Sequence, residues 1–201
     1  MESFDVNRRN WDERVPLHAD SDSYGLAQFR SDPHHLSNVV KFDAERLGPI
    51  DGLNVVHLQC HIGTDTVSLA RLGAAHVTGL DFSPPAVDVA RQLALDLGLP
   101  VEIVESDCYA AADILGQGMF DLVYTGIGAL CWLPDIDRWA KVVADLLVPG
   151  GRLFVREGHP VLWSLDYQVT DALVIAHPYF ETDDPIIDDE DTTYAETETR
   201  L

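Results

Sequence analysis

The chain has 201 residues, 46% of them hydrophobic, which is enough to bury the core of one globular domain. Its formal net charge of −21 argues against nucleic acids and anionic membranes as partners, because so acidic a surface repels phosphate groups. The opening MESFDVNRRN lacks the apolar segment of a secretory signal, and the three cysteines have unrelated spacings, so we expect reduced thiols in a cytoplasmic protein.

Short apolar runs alternate with segments of helical periodicity from residue 50 onward. The apolar runs predict five strands, at Asn54–Leu58, His76–Leu80, Val101–Glu105, Phe120–Thr125 and Arg152–Glu157. The periodic segments predict four helices, at Thr64–Leu72, Pro84–Leu97, Ala111–Leu115 and Asp135–Leu147. Before residue 50, two amphipathic segments predict helices around Asp5–Arg14 and Leu36–Leu47, and we expect residues 1–49 to form a helical cover.

The residues at the predicted boundaries support these elements. Ser83 followed by proline is typical of a helix start, and Gly73 and Gly98 are typical of helix ends. Strands and helices that alternate at this spacing predict βαβ units, and hence an α/β three-layer sandwich around a mainly parallel, twisted sheet. Ligands of such sheets bind at the carboxyl ends of the strands, where the strand order reverses.

Five features in chain order resemble the class I S-adenosylmethionine-dependent methyltransferases, which have a Rossmann-like fold. The resemblance covers roughly residues 7–159. It rests on Cys60-x-x-Gly63 after the first strand, Asp81 at the end of the second, Asp107 after the third, the fourth-strand block FDLVYTGIGALCWLPD, and the turn PGGRLFV into the fifth strand. An NWDERVPLH segment and an HLQCHxG loop, both present here, are similar to those of a small-molecule subset of the family.

The resemblance implies S-adenosyl-L-methionine as cofactor and a small molecule as methyl acceptor. It assigns Asp81 to the ribose diol, a task suited to a carboxylate, and Phe82 to the adenine face. It assigns Asp107 to the adenine amino group and Cys108 to a neighbouring backbone N–H. The other cofactor-binding residues that we expect are Gln59, Cys60, His61, Gly63, Thr125 and Gly126.

The loop after the first strand departs from the family pattern at three positions. The pattern has an acid in place of His57 and glycines in place of Gln59 and His61. Side chains at positions 59 and 61 predict a backbone that keeps negative φ there, so that only Gly63 requires a glycine conformation. We expect a slightly wider loop in which the side chains of Gln59 and His61 join the pocket.

Three other interpretations of the same residues remain open. His57, Cys60 and His61 could form a metal site, although a strand residue and two turn residues converge poorly on one ion. A nicotinamide enzyme would need G-x-G-x-x-G, and this loop has one glycine. A protein that binds S-adenosylmethionine without catalysis would share the cofactor residues, because methyl transfer often needs no dedicated catalytic residue.

An acceptor that must lose a proton needs a general base within hydrogen-bond reach. His159, just after the fifth strand, is the first candidate, and His18 is the second. Trp11, Arg14 and Tyr24 are expected to cover the cofactor from the N-terminal side.

The segment after the fifth strand is expected to be incomplete. We divide the chain into the cover, a cofactor-binding core at residues 50–160, and an acidic segment at 161–201 that forms part of a lid or substrate region. The family sheet ends with an antiparallel pair, but this segment offers one apolar run, Ala172–Ala176. Either the chain is a fragment, which we favour, or Ala172–Phe180 forms a hairpin with the Tyr194 region. An open fifth strand would favour self-association.

Overall fold

A computed structural model describes residues 2–180 and Thr182. Three helices come first: α1 (Glu2–Asp20), α2 (Leu26–Ser31) and α3 (Asn38–Leu47). The alternating part of the chain then comprises β1 (Asn54–Leu58), α4 (Thr64–Arg71), β2 (His76–Asp81), α5 (Pro84–Leu97), β3 (Val101–Glu105), α6 (Ala111–Leu115), β4 (Phe120–Thr125), α7 (Ile136–Leu146), β5 (Leu147–Val155) and α8 (Pro160–Trp163). Every predicted strand and helix of residues 54–155 is present, with ends that differ by a few residues.

The five strands form one parallel sheet with the order β3-β2-β1-β4-β5. β1 lies at its centre, where Val56 is in register with Thr78 of β2 on one side and with Val123 of β4 on the other. After β1 the chain adds β2 and β3 on one side of β1. It then crosses back to add β4 and β5 on the other side, so the strand order reverses beside β1. The predicted α/β fold with a parallel sheet is confirmed, and its switch point lies between β1 and β4.

Local capping explains why α5 begins and ends where the sequence predicts. The Ser83 side chain accepts a hydrogen bond from the backbone N–H of Ala86, and prolines occupy the first turn. Gly98 has φ 61° and donates its backbone N–H to the carbonyl of Ala94, which ends the helix. The buried face of α5, formed by Ala86, Val87, Ala90, Leu93 and Ala94, packs on the sheet.

Helices cover both faces of the sheet and bury a separate apolar cluster on each. On one face, Leu58 and Val123 pack with Trp139 and Leu146 of α7. On the other face, residues of β1, β2 and β4 pack with α3 and α4. The three layers are therefore helix, sheet and helix, as the sequence predicts.

The N-terminal helices differ from the prediction. α1 extends beyond the predicted Asp5–Arg14 in both directions and continues through Pro16, and α2 was not predicted. Neither has a strong periodic pattern: α1 is polar on most sides, and α2 has six residues, of which Leu26 and Phe29 are buried. These helices are therefore stabilised by tertiary contacts, which a periodicity argument does not register.

The segment after α8 contains no strand in its described part, although the alternative to a fragment was a hairpin that begins there. Ala172–Phe180 contains no strand, and Ile175 makes a single antiparallel bridge to Leu165. Tyr194, the other half of the predicted hairpin, lies outside the described residues, as does nearly all of the acidic stretch after Phe180. Among residues 2–180 and Thr182, no helix is long and apolar enough to cross a membrane.

Candidate functional site

A cavity of about 360 Å³ lies at the carboxyl ends of the central strands, beneath α1. It is at the switch point of the sheet, where ligands of this architecture bind. Its polar lining includes residues of the loops that follow β1, β2 and β3 and of the start of α4. Its aromatic lining comes from α1, the segment between α1 and α2, and the loops after β1, β2 and β4. Residues of the lining include Asn7, Trp11, Tyr24, Gln59, His61, Asp65, Asp81, Phe82, Asp107, Gly126 and Trp132.

The loop after β1 adopts a left-handed backbone at three positions. Gly63 has φ 79°, as expected, but Gln59 has φ 57° and His61 has φ 48°. The prediction that positions 59 and 61 keep negative φ is therefore wrong. A non-glycine residue in this region costs roughly 1–2 kcal/mol, which specific contacts must offset.

Long-range hydrogen bonds hold the two strained positions. The backbone N–H of His61 donates to Asp81 Oδ2 at 2.7 Å, and Gln59 Nε2 donates to the carbonyl oxygen of Ala129 at 2.9 Å. The loop is therefore tied to the end of β2 on one side and to the loop after β4 on the other. Its side chains at 59 and 61 do line the cavity, as predicted.

Gly63 serves packing rather than contact with the cavity. A Cβ at this position would lie 2.7 Å from the Cβ of Ala90 in α5, closer than side chains tolerate, and Gly63 does not line the cavity. The glycine thus lets the start of α4 approach α5 closely.

Asp81 organises the loops around it while lining the cavity. In addition to the backbone N–H of His61, Asp81 accepts the backbone N–H of Ser83, which lies 3.0 Å from Oδ1. Burial raises the pKa of its carboxyl to about 6, and these backbone hydrogen bonds oppose the shift. The role of Asp81 in holding the backbone of His61 and Ser83 is compatible with a ligand-binding role, since each carboxylate oxygen accepts more than one hydrogen bond.

Most of the residues predicted to bind cofactor meet at this cavity. Those that line it are Gln59, Cys60, His61, Asp81, Phe82, Asp107, Cys108 and Gly126. Asp107 also accepts the backbone N–H of Tyr109 at 2.9 Å, which starts a short 3₁₀ helix. Thr125 is fully buried at the end of β4 and does not line the cavity, although its hydroxyl has no hydrogen-bond partner among the described residues.

An imidazole pair joins α1 to the loop after β1. His18 Nδ1 lies 2.7 Å from His61 Nε2, and the rings of Trp11 and Tyr24 pack around His61. Burial and the nearby Arg14 lower the pKa of His18 to about 4. Burial, His18 and Arg14 lower the pKa of His61 to about 3. Both imidazoles are therefore neutral at pH 7.

His159 is outside this arrangement. It is exposed, does not line the cavity, and its Nδ1 accepts the backbone N–H of Val161 at 3.2 Å, which caps α8. Arg14, predicted to cover the cofactor with Trp11 and Tyr24, is buried against Asn10 and the Trp11 ring and is not among the lining residues.

The three side chains considered for a metal site have different environments. His57 Nδ1 lies 2.9 Å from the Thr66 hydroxyl, whereas His61 faces His18, and Cys60 is buried beneath the loop. Within residues 2–180 and Thr182, no group of three or more His, Cys, Asp or Glu side chains is arranged to hold a metal ion.

Glu157 holds the loop that closes the cavity, and the sequence did not predict it. Its carboxylate accepts the backbone N–H groups of Gly128, Ala129 and Leu130 at 2.7–2.9 Å, and that of Gly158 at 2.9 Å. In the sequence, its one distinguishing feature is its position at the end of the predicted fifth strand. Asp65 in the first turn of α4 also lines the cavity and was also not predicted.

Comparison with known proteins agrees with this geometry. Residues 55–151 match a family model described as a methyltransferase domain. The ubiquinone biosynthesis O-methyltransferase of Xylella fastidiosa is 35% identical over 126 residues, which is 61% of this chain and 49% of that protein. The same-named enzyme of Photorhabdus laumondii is 33% identical over 158 residues, 77% of this chain and 58% of that protein. The chain therefore spans about half the length of these curated relatives.

A solved structure is similar in fold. The S-adenosylmethionine-dependent methyltransferase from Mesorhizobium loti aligns with a TM-score of 0.56 and 28% identity, over 64% of this chain and 58% of that one.

Proposed function

Because the chain belongs to the class I S-adenosylmethionine-dependent methyltransferases, we propose that it transfers a methyl group from this cofactor to a small-molecule acceptor. The observation that carries the proposal is the cavity at the switch point, where the loop after β1 is joined to Asp81. In a nicotinamide enzyme this loop would instead be rich in glycine.

The chemistry of the lining suits a nucleoside linked to an amino acid. Asp81 offers acceptors for the hydroxyls of a ribose, and Asp107 offers one for an adenine amino group. Phe82 and Leu133 give apolar surface for the purine. Gln59 Oε1 is buried without a hydrogen-bond partner among the described residues and so is available to a polar ligand atom.

The protein's contribution to the reaction is alignment and exclusion of water. S-adenosylmethionine supplies, when bound, a methyl group on a sulfonium that is already a good leaving group. α1 covers the cavity, and its Trp11 packs edge-to-face on Trp132 of the loop after β4, with ring centroids 5.4 Å apart. A cavity closed on both sides orders the reactants and removes competing water.

The acceptor that this cavity favours is small, and an oxygen nucleophile is proposed. The aromatic walls formed by Trp11, Tyr24 and Trp132 suit a planar apolar body. The O-methyltransferase relatives support oxygen as the methylated atom. Neither of the two histidines considered as general base lines the cavity. His18 is favoured over His159 only because it contacts His61, which does line it, whereas His159 is exposed elsewhere.

The test has two stages. Isothermal titration should show stoichiometric binding of S-adenosylhomocysteine, and phenolic and other small acceptors should then be screened for release of S-adenosylhomocysteine from S-adenosylmethionine. Binding with turnover supports the enzyme. Binding without turnover on any acceptor favours the second candidate, a non-catalytic S-adenosylmethionine-binding protein, and absence of binding contradicts both.

Two further properties are proposed, a cytoplasmic location and self-association. The three cysteines are free thiols, which favours a reducing cytoplasm. β5 is paired on one side only among the described residues, and its Leu153 and Val155 are 38% and 40% exposed. This apolar edge favours self-association. Light scattering should therefore give a mass above that of one chain, and a monomer at high concentration would contradict this proposal.

A further inference from the structure

A nearby carboxylate stabilises a buried cation, and the cofactor carries one cation that persists after methyl transfer. S-adenosylmethionine and S-adenosylhomocysteine both contain an α-ammonium group. Removing such a group from water without a counter-charge is costly. Among the residues that the structure describes, three carboxylates line the cavity: Asp65, Asp81 and Asp107.

Two of these carboxylates already hold backbone groups at the nucleoside side of the cavity. Asp81 accepts the N–H groups of His61 and Ser83, and Asp107 accepts that of Tyr109. They follow β2 and β3, which lie on the opposite side of β1 from β4. Asp65 is at the other side, in α4 immediately after the loop that follows β1.

Asp65 converges with His57 on one point beside the end of β4. A Cβ built on Gly126 would lie 3.5 Å from Asp65 Oδ2 and 3.9 Å from His57 Nε2. Gly126 lines the cavity and has no side chain, so a small ligand group can take this position. Gln59, with its unpartnered Oε1, lines the same cavity.

The charges around this point leave Asp65 as its anion. His57 is buried, and burial lowers the pKa of its imidazole to about 3, so it is neutral at pH 7. Ser37 hydrogen-bonds to Asp65, which fixes the carboxylate, while Asp43 behind it is paired with Arg156. Arg156 thus forms its ion pair with Asp43, and its charge acts on Asp65 only through space, where it lowers the pKa of that carboxyl.

We propose that Asp65 is the counter-ion of the cofactor's α-ammonium group, in a subsite completed by Gly126 and the Gln59 side chain. The carboxylate is thus supplied by a residue of α4. The family pattern instead has an acid at position 57 of β1, where this chain has the neutral imidazole of His57. The inference rests on the proposed function, because it names a ligand group of that same cavity.

The simpler alternative is that Asp65 is an acid in the first turn of a helix, where the helix dipole favours negative charge. Asp137 is a matched control for this alternative, since it occupies the first turn of α7 and is exposed outside the cavity. A dipole role would give the two residues similar effects, restricted to stability. A counter-ion role would affect only ligands that carry the ammonium.

The experiment is a titration of wild type, Asp65→Asn and Asp137→Asn with three probes: S-adenosylhomocysteine, its deamino analogue, and 5′-methylthioadenosine. We expect Asp65→Asn to weaken S-adenosylhomocysteine binding about 10- to 100-fold, the range for hydrogen bonds to charged groups. The deamino analogue and methylthioadenosine should bind Asp65→Asn and wild type within about 3-fold, because neither has the ammonium. Asp137→Asn should match wild type with all three.

The outcomes separate this inference from the proposed function. The counter-ion role is wrong, and the proposed function stands, if Asp65→Asn binds S-adenosylhomocysteine as well as wild type does. The same holds if the affinity of Asp65→Asn for the deamino analogue falls by the same factor as its affinity for S-adenosylhomocysteine. If wild type binds none of the probes, the proposed function fails and the inference with it. Asp65→Ala serves as a second variant, and melting temperatures check that each protein is folded.

Discussion

His18 and His61 form an imidazole pair, with Nδ1 of one ring 2.7 Å from Nε2 of the other. The pair links α1 to a loop residue whose backbone N–H is held by Asp81. One imidazole donates its N–H and the other accepts through a neutral ring nitrogen, so protonation of both rings leaves two donors and no acceptor. The cover over the cavity is therefore attached to the cofactor loop by a contact that protonation of both imidazoles breaks.

The imidazole pair predicts a loss of stability toward low pH. The folded-state pKa values of His18 and His61, about 4 and about 3, lie below the ordinary 6.5. The contribution of these two histidines to the free energy of unfolding is complete above pH 6.5. It is lost as the pH falls from 6.5 toward 4, because the unfolded chain then binds more protons than the folded protein. Asp65 and Asp81 change stability in the opposite direction over this window, so a difference between variants is needed.

The measurement is chemical denaturation of wild type and of His18→Phe/His61→Phe at pH 7 and pH 5. We expect the stability of the double variant, relative to wild type, to improve as the pH falls. His34→Phe, a change at an exposed histidine, should show no such trend. A relative stability that is constant between the two pH values would exclude the pair as a pH-sensitive contact.

Replacing Asp81 with Ala should weaken cofactor binding by about 1.5–3 kcal/mol, the range for hydrogen bonds to charged groups. The substitution removes the proposed ribose acceptor and also releases the backbone N–H groups of His61 and Ser83. Titration with S-adenosylhomocysteine and with 5′-methylthioadenosine should show similar losses, because both contain the ribose. Unchanged affinity for either ligand would contradict the ribose assignment.

Glu157→Gln should loosen the loop after β4. The carboxylate of Glu157 accepts backbone N–H groups from Gly128, Ala129 and Leu130, and an amide has one oxygen to replace two. We expect a loss of about 1.5–3 kcal/mol in the free energy of unfolding, together with faster amide hydrogen exchange in residues 126–133. Glu105→Gln, at the exposed end of β3, is the control and should leave both quantities unchanged. Normal exchange in the Glu157 variant would show that the loop does not depend on this carboxylate.

The sequence predicts the sheet well because its signals are local. Ser83, Pro84 and Gly98 fix the ends of α5 by contacts within a few residues, and the apolar runs define the strands. The conformations of Gln59 and His61 were predicted wrongly because they are stabilised by Ala129 and Asp81, which are distant in the sequence. Glu157 was missed for the same reason: its role depends on a loop about thirty residues earlier that only the fold brings near. Most of the residues predicted at the site therefore line the cavity, but Asp65 and the contacts that hold the loops were not predicted.

Asp65→Asn should stabilise the protein while it weakens cofactor binding. Burial, with a smaller effect of the Asp43 charge, raises the pKa of the Asp65 carboxyl from 3.8 to about 6. Because the pKa is higher in the folded state than in the unfolded chain, the Asp65 carboxyl favours folding most below pH 3.8. This contribution to stability is lost as the pH rises from 3.8 through 6. The buried charge therefore costs up to about 3 kcal/mol at pH 7.5, whereas a neutral amide still accepts the hydrogen bond from Ser37.

Urea denaturation of wild type and Asp65→Asn tests this directly. We expect the variant to be more stable by about 2–3 kcal/mol at pH 7.5 and by roughly half as much at pH 5, where the wild-type carboxyl is mostly protonated. Asp137→Asn should give a pH-independent and small difference, because Asp137 is exposed. A gain for Asp65→Asn that is equal at both pH values, or a loss at pH 7.5, would show that the carboxylate is not destabilising in the folded protein. A residue that costs stability at neutral pH and is still placed at the cavity is expected where a cationic ligand group is bound.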